Sequence, residues 1–214
     1  MQKLHFDYQE GRKIFFTSDL HIGHRNILQF CQRPFLDLKD MATDITANWN
    51  SVVRENDIVF DLGDMFWWNS RHEVKKFVDK LNGTIYKVPG NHDMDCRRLF
   101  ELCDPEKVTV LDDISVVWIE NLFPETNRVT ELWLSHMPLM TWPHRGNGAI
   151  NLFGHIHSGP LSTASMDVPE KDLHLWPKQQ YDVGADNNGY TPIEIQEIFK
   201  KLDRDVNWKP QMYF

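Results

Sequence analysis

Apolar residues fall in short runs between polar loops, and the spacing inside each run predicts its element. Ile14-Phe15-Phe16-Thr17-Ser18 is a continuous apolar run and reads as a buried strand. Asp57–Leu62 and Thr84–Val88 read the same way. Between them, Met41, Ile45, Trp49, Val52 and Val53 recur at three- and four-residue spacing, which predicts an amphipathic helix around Lys39–Arg54. Val74, Phe77, Val78 and Leu81 mark a second helix, ended by Asn82-Gly83. A shorter helix begins near Asn26 and is broken at Arg33-Pro34, and another follows near Asp95–Leu102. Strand and helix alternate, so the first half predicts α/β layering.

The second half is poorer in helix. Val108–Leu111, Ile114–Ile119, Glu131–Ser135, Ala149–Phe153 and Tyr181–Gly184 read as strands. Pro192–Leu202 reads as a final helix, with Thr191 as N-cap and Pro192 in the first turn. Ser158–Gln180 is long, polar and irregular, the pattern of a loop or small cap. With no repeat and no Gly/Ser linker, the expectation is one domain over residues 1–214 with an insertion at about 158–180. Two packed sheets with helices outside fit this order.

The residues after the strands carry the chemistry. Ser18-Asp19-Leu20-His21 follows the first strand, Gly63-Asp64 the second and Gly90-Asn91-His92-Asp93 the third. Ser135-His136 follows Leu132-Trp133-Leu134, and Gly154-His155-Ile156-His157 follows Asn151-Leu152-Phe153. Taken singly, each is ordinary: Gly-Asp is a common turn dipeptide, and a lone histidine usually packs or faces solvent. His155 and His157, two apart on an extended segment, would point to one side. Five strand ends delivering Asp, Asn or His, with glycines that let the backbone turn beside them, are a different matter. These oxygen and nitrogen donors suit Mn, Fe, Zn, Ni or Co, not a thiolate site.

Composition narrows the classes. Lys plus Arg is 23 and Asp plus Glu is 31, a net charge of −8, which disfavours broad grip on a nucleic-acid backbone but not an enzyme whose positive charge is bound metal. Three cysteines without a Cys-x-x-Cys argue against a disulfide framework or zinc ribbon. No apolar run approaches the roughly 18 residues of a membrane span, and the first ten residues lack a signal-peptide core. The expectation is a soluble cytoplasmic protein.

The ordered set Asp19-x-His21, Gly63-Asp64, Gly90-Asn-His-Asp93, His136 and Gly154-His-x-His157 resembles the calcineurin-like metallophosphoesterase superfamily. The flanks Thr17–His24 and Asp182–Pro192 resemble its small bacterial and phage-type members. The resemblance implies a four-layer α-β-β-α sandwich, two mixed sheets flanked by helices, with a site for two divalent ions at one edge. Manganese is the first choice, with Fe, Zn, Ni or Co as others. It implies Asp19, His21 and His157 on the first ion, Asn91, His136 and His155 on the second, and Asp64 bridging both. His92 would be the proton donor, supported by Asp93. Paired cations about 3.5–4 Å apart need a shared anion, and they make a water nucleophilic near neutral pH. The leaving oxygen then needs a proton, which histidine supplies near neutrality.

The expected activity is phosphoester hydrolysis with a metal-bridged hydroxide, and a small nucleotide-type diester is the favoured substrate. His24, Arg25 and Arg145 are candidate substrate contacts. After Gly63-Asp64 this chain departs from relatives that carry further polar residues there. It has Met65-Phe66-Trp67-Trp68, and the tryptophans could stack on a nucleobase or pack under neighbouring loops. A second reading is a nuclease on single strands or ends, using Lys75, Lys76, Lys80, Arg97 and Arg98. A third is a non-catalytic interaction module, although no member of the catalytic set is missing. Oligomeric state is open, since Trp118, Trp133 and Trp208 serve either a core or an interface.

Overall fold

The computed structural model describes residues 1–8, 11–67, 70–93, 95–123, 128–158 and 179–202. The expected insertion therefore lies mostly outside the described residues, as do Trp68 and Trp208. Among the described residues, two mixed five-stranded sheets and five helices make an α/β fold. One sheet has the order β10-β2-β3-β4-β5, formed by Ile193–Glu194, Ile14–Thr17, Ile58–Asp61, Thr84–Lys87 and Val108–Val110. The other has the order β1-β6-β7-β8-β9, formed by Gln2–Asp7, Ile114–Glu120, Thr130–Ser135, Ile150–Phe153 and Gln180–Asp182.

Alternation along the strands builds the layers. Ile14, Phe16, Ile58 and Phe60 face the second sheet and meet Val117, Ile119, Leu132, Leu134, Ile150 and Leu152 in one core. Phe15, Val59 and Ile85 point the opposite way, towards the helices. Those helices are α1 (Ile27–Phe30), α2 (Leu38–Val52), α3 (Arg71–Val78) and α4 (Cys96–Leu99), and each contributes buried side chains to this outer core. Strands buried on both faces need continuous apolar runs, which is why β2 and β3 were legible as such. On the far side of the second sheet, Val116, Trp133, Trp142 and Ala149 form a small cluster with Trp118 and Leu139 packed against it.

Two elements depart from the pattern reading. Gln2–Asp7 is a strand pairing in parallel with β6, although its only apolar residues, Leu4 and Phe6, are half-buried and alternate with polar ones, a weak local strand signal. The last helix, α5, runs over Ile195–Lys201 with Glu194 at its N-cap position. Thr191 and Pro192 precede it, because Ile193 and Glu194 are taken as a strand antiparallel to β2. Strand pairing on the β2 edge outcompetes the proline-led helix start, and Ile195 and Ile198 then enter the inter-sheet core. Among the described residues, no helix is long and apolar enough to cross a membrane.

Helix α2 starts where Asp37 caps the amides of Lys39 and Asp40, and it buries Met41, Ile45 and Trp49. The Trp49 indole N–H donates to the Asn82 carbonyl at 3.0 Å, so the ring is both packed and polar-satisfied. Trp49→Ala is expected to lower stability by about 3–5 kcal/mol. Denaturant unfolding measures this; a loss below about 1 kcal/mol would mean that α2 does not anchor on the sheet as described.

Candidate metal centre

Register brings the strand ends to one edge. Thr17 lies opposite Asp61, and Asp61 opposite Lys87, so the loops after β2, β3 and β4 emerge side by side. Leu134 is opposite Leu152, which aligns the loops after β7 and β8. The two sets of loops meet through a bridge between Ser18 and Gly184, and within the second set the Gly154 N–H donates to the His136 carbonyl. The Asp19 and His21 amides donate to the carbonyls of Gly63 and Asp64, both at 2.9 Å.

The backbone is held in an unusual state here. Asp19, His21, Asp64, His155 and His157 all have positive φ, between 48° and 71°. Left-handed conformations cost non-glycine residues free energy and persist only where surroundings over-determine them. The expectation that His155 and His157 project from an extended segment is therefore wrong: both are in left-handed turns, and hydrogen bonds aim them instead. Close approach also excludes side chains at two glycines. A Cβ on Gly90 would lie 2.1 Å from Asp64 Oδ1, and one on Gly154 would lie 2.2 Å from Asp19 Oδ2.

Donor atoms then converge. His21 Nε2 lies 3.8 Å from Asp19 Oδ1 and 3.8 Å from Asp64 Oδ2. His157 Nε2 is 3.8 Å from the same Asp19 oxygen. His136 Nε2 is 3.3 Å from Asp64 Oδ2 and 2.9 Å from Asn91 Oδ1. His155 donates its amide to Asp19 Oδ2 at 2.8 Å and packs its ring edge-on to His136, with centroids 5.1 Å apart. Asp19–His21–His157 and Asp19–Asp64–His136 are each close enough to hold one ion.

The electrostatics fit a cation. His136 Nδ1 faces the Leu62 carbonyl at 2.8 Å, which places a proton on Nδ1. Its Nε2 lone pair then confronts two oxygens, an arrangement satisfied only by a second proton or a cation. Asp19 Oδ1 and His21 Nε2 are buried without a hydrogen-bond partner, and both point into this space. Burial, with His157 close by, drives His21 well towards the neutral form that ligates metal. Burial pushes the Asp64 carboxyl up, but the His136 hydrogen bond and the nearby imidazoles hold it below the usual carboxylate range. Asp64 is therefore an anion facing imidazoles on both sides. The residues present fit divalent metal.

Further residues brace these donors, and the pattern reading missed them. Arg33, noted only as a helix breaker, is 4% exposed and fully engaged. It donates to both oxygens of Asp186, at 2.9 and 2.8 Å, and to the carbonyls of Asp19 and Leu20. Asp186 also meets His157 Nδ1 at 2.7 Å, which leaves Nε2 directed at Asp19. Asp182 is buried and accepts from the amides of Gly184 and Ser158, and burial raises its carboxyl to about 6. No local signal marks Arg33 as the partner of Asp186, 153 residues away. A buried Lys87 pairs with Asp61 and, at 2.7 Å, with Asp93.

The remaining candidates separate. His92 lies at the mouth: its amide donates to Asp64 Oδ1 at 2.9 Å, and its Nε2 is 4.0 Å from Asp64 Oδ2. Asp93 does not turn to the His92 ring. Its Oδ2 accepts from the amides of Gly90 and Asp64 and binds Lys87, so it holds the Asp64 and Gly90 loops together. His24 is buried, with Nδ1 3.3 Å from His21 Nδ1. Arg25 is exposed beside it. Arg145 lies in a short 3-10 turn, with its guanidinium over Trp142, 5.3 Å from the ring centroid.

The chain has relatives among known proteins. The chain is 42% identical over 199 residues to the uncharacterized protein MJ1445 of Methanocaldococcus jannaschii, covering 90% of this chain and 93% of that one. It is 27% identical to the Gene 66 protein of Mycobacterium phage L5 over 75% of this chain and 84% of that one. A crystal structure of a protein of unknown function, AQ665 from Aquifex aeolicus, superimposes with a TM-score of 0.60 at 25% identity, over 89% of this chain and all of that one. The family described as calcineurin-like phosphoesterase matches residues 12–187, which span every strand-end donor described above, and the chain belongs to that family.

Proposed function

We propose that this metal-dependent phosphoesterase is a phosphodiesterase with two metal ions, manganese first among them, and with His92 as its general acid. The observation that carries the reading is Asp64. Its Oδ2 lies between His21 and His136 and faces His92 at 4.0 Å, so one carboxylate touches both donor groups and the proton donor. Asp19, His21 and His157 would hold one ion, Asn91, His136 and His155 the other, and Asp64 both. Divalent ions held there supply a nucleophilic water near neutral pH and offset charge on the phosphoryl oxygens.

The chain's own residues do the rest. Exposure of about two-fifths of its side chain lets the His92 imidazole take a proton from solvent and reach the leaving oxygen. The Asp64 carboxylate accepts the His92 amide and so sets where that ring stands. Arg33 and Lys87 are both engaged by buried carboxylates, so neither adds positive charge for a dianionic monoester. This supports a singly charged diester. Several basic residues of the nuclease reading are also paired, Lys75 with Asp79, Arg97 with Asp112 and Arg98 with Asp95, which supports a small substrate.

Three measurements test the reading. Chelation should abolish turnover of bis(p-nitrophenyl) phosphate and Mn²⁺ should restore it, with faster turnover than of p-nitrophenyl phosphate; the reverse order removes the diester preference. Asp64→Asn should lower bound metal from two ions to one or none by elemental analysis, and two retained ions would remove the bridging role. His92→Ala should cost about 10²- to 10⁴-fold on a dinucleoside monophosphate, whose alkoxide must be protonated. The loss should be smaller on the bis(p-nitrophenyl) ester, whose leaving group needs little help, and equal losses on both would exclude His92 as the acid.

Metal affinity should depend on pH in a defined direction. Burial lowers the His136 pKa, but the hydrogen bond and charge of Asp64 reverse this and raise it overall, so a proton competes with metal at that ring. Ligation requires neutral imidazole, so binding releases protons and strengthens as pH rises. Mn²⁺ titrations should show weaker binding at pH 5.5 than at pH 8. Affinity that is flat across this range would mean that the imidazoles are not ligands.

A further inference from the structure

Trp67 stands at the mouth of the same site on a fixed backbone. Met65 and Phe66, just before it, are buried; Phe66 bridges to Ile22, and the Trp67 amide donates to the Ile22 carbonyl at 2.9 Å. One face of the indole lies on the His24 ring, with centroids 3.8 Å apart and planes 7° from parallel. The indole is 4.8 Å from the His92 ring. It is nevertheless 45% exposed.

Packing accounts for half of this arrangement. Covering His24 explains the buried face of the indole, and a branched aliphatic residue could do that as well. It does not explain a large, rigid aromatic ring whose remaining surface is left in water beside the proton donor. An indole backed by a second ring and anchored through its amide is pre-organised to receive a planar group, since its stacking geometry is set before anything binds. The group nearest His92 during the reaction is the leaving oxygen, so a ring carried on the leaving side of the ester lies towards Trp67.

We propose that Trp67, backed by His24, is a stacking shelf for a planar ring on the substrate's leaving group, so that the site selects phosphoesters of the nucleotide class. This rests on the hydrolase reading for the position of the phosphate, but the shelf is testable by binding alone. Aromatic–base stacking tolerates any base, because every base has a π-face. The shelf therefore selects for the presence of a base and not for its identity, and purine and pyrimidine nucleotides should both be favoured.

The test is calorimetric titration of the Mn²⁺-loaded protein with adenosine 5′-monophosphate and with ribose 5-phosphate, which share sugar and phosphate and differ by the base. Wild type should bind the nucleotide roughly tenfold to a hundredfold more tightly. Trp67→Leu, which still covers His24 but cannot stack, should bring the ratio close to one, and Trp67→Phe should keep most of it. Equal affinities in wild type, or a preference that survives Trp67→Leu, would overturn the shelf. The two readings fail separately: a base preference in a protein that hydrolyses no phosphoester sustains the shelf and removes the hydrolase, whereas hydrolysis of the bis ester without base preference removes the shelf.

Discussion

Mutual repulsion among buried acceptors is the constraint on which the rest of this structure depends. Asp19, Asp64, His21 and His136, all buried, and the exposed Asn91 beside them direct oxygens and lone pairs at one another across less than 4 Å. Such an arrangement is unfavourable in itself, since buried polar atoms without partners lose their hydration. It becomes favourable when cations enter, and the protein is built to hold the acceptors in place until they do. Positive φ angles at Asp19, His21, Asp64, His155 and His157 are part of how it holds them, a strained backbone kept only where the surroundings over-determine it.

That stored strain needs rigid support, and two buried charge networks provide it. Arg33 ties Asp186, and through it His157, to the carbonyls of Asp19 and Leu20. Lys87 ties Asp61 at the end of β3 to Asp93 in the loop after β4. Buried ion pairs of this kind add little net stability, because desolvation offsets their attraction, yet removing one partner leaves a charge that is costly to keep buried. Their value here is positional. Each ties together loops at the candidate metal site, so the loops cannot move apart without exposing an unpaired ion.

The sheets set the scale on which this works. Parallel strands β2, β3 and β4 end in register, and the second sheet delivers β7 and β8 to the same edge. Apolar side chains from both sheets lock the edge together from below, while the donors stand above it in short turns. Trp67 and His92, by contrast, stand where side chains reach solvent, which is where a site must change partners during turnover.

Local chemistry was written in the chain. Apolar runs placed the central strands, three- and four-residue spacing placed α2 and α3, and the residue types after five strands marked the candidate metal donors, several of which the structure brings together. These features act over a few residues, so a linear reading captures them. Pairings at long range were not legible: Arg33 with Asp186, Asp93 with Lys87 in place of His92, and the stacking of Trp67 on His24 depend on which loops the sheets bring together. The strand at Gln2–Asp7 and the late start of α5 were decided by the same cause, since β6 and β2 each offer an edge whose hydrogen bonds outweigh local preference. The sequence alone determined which atoms could bind metal; only the tertiary structure decided how they face one another, because repulsion, tautomer and strain are properties of distances between residues remote in the chain.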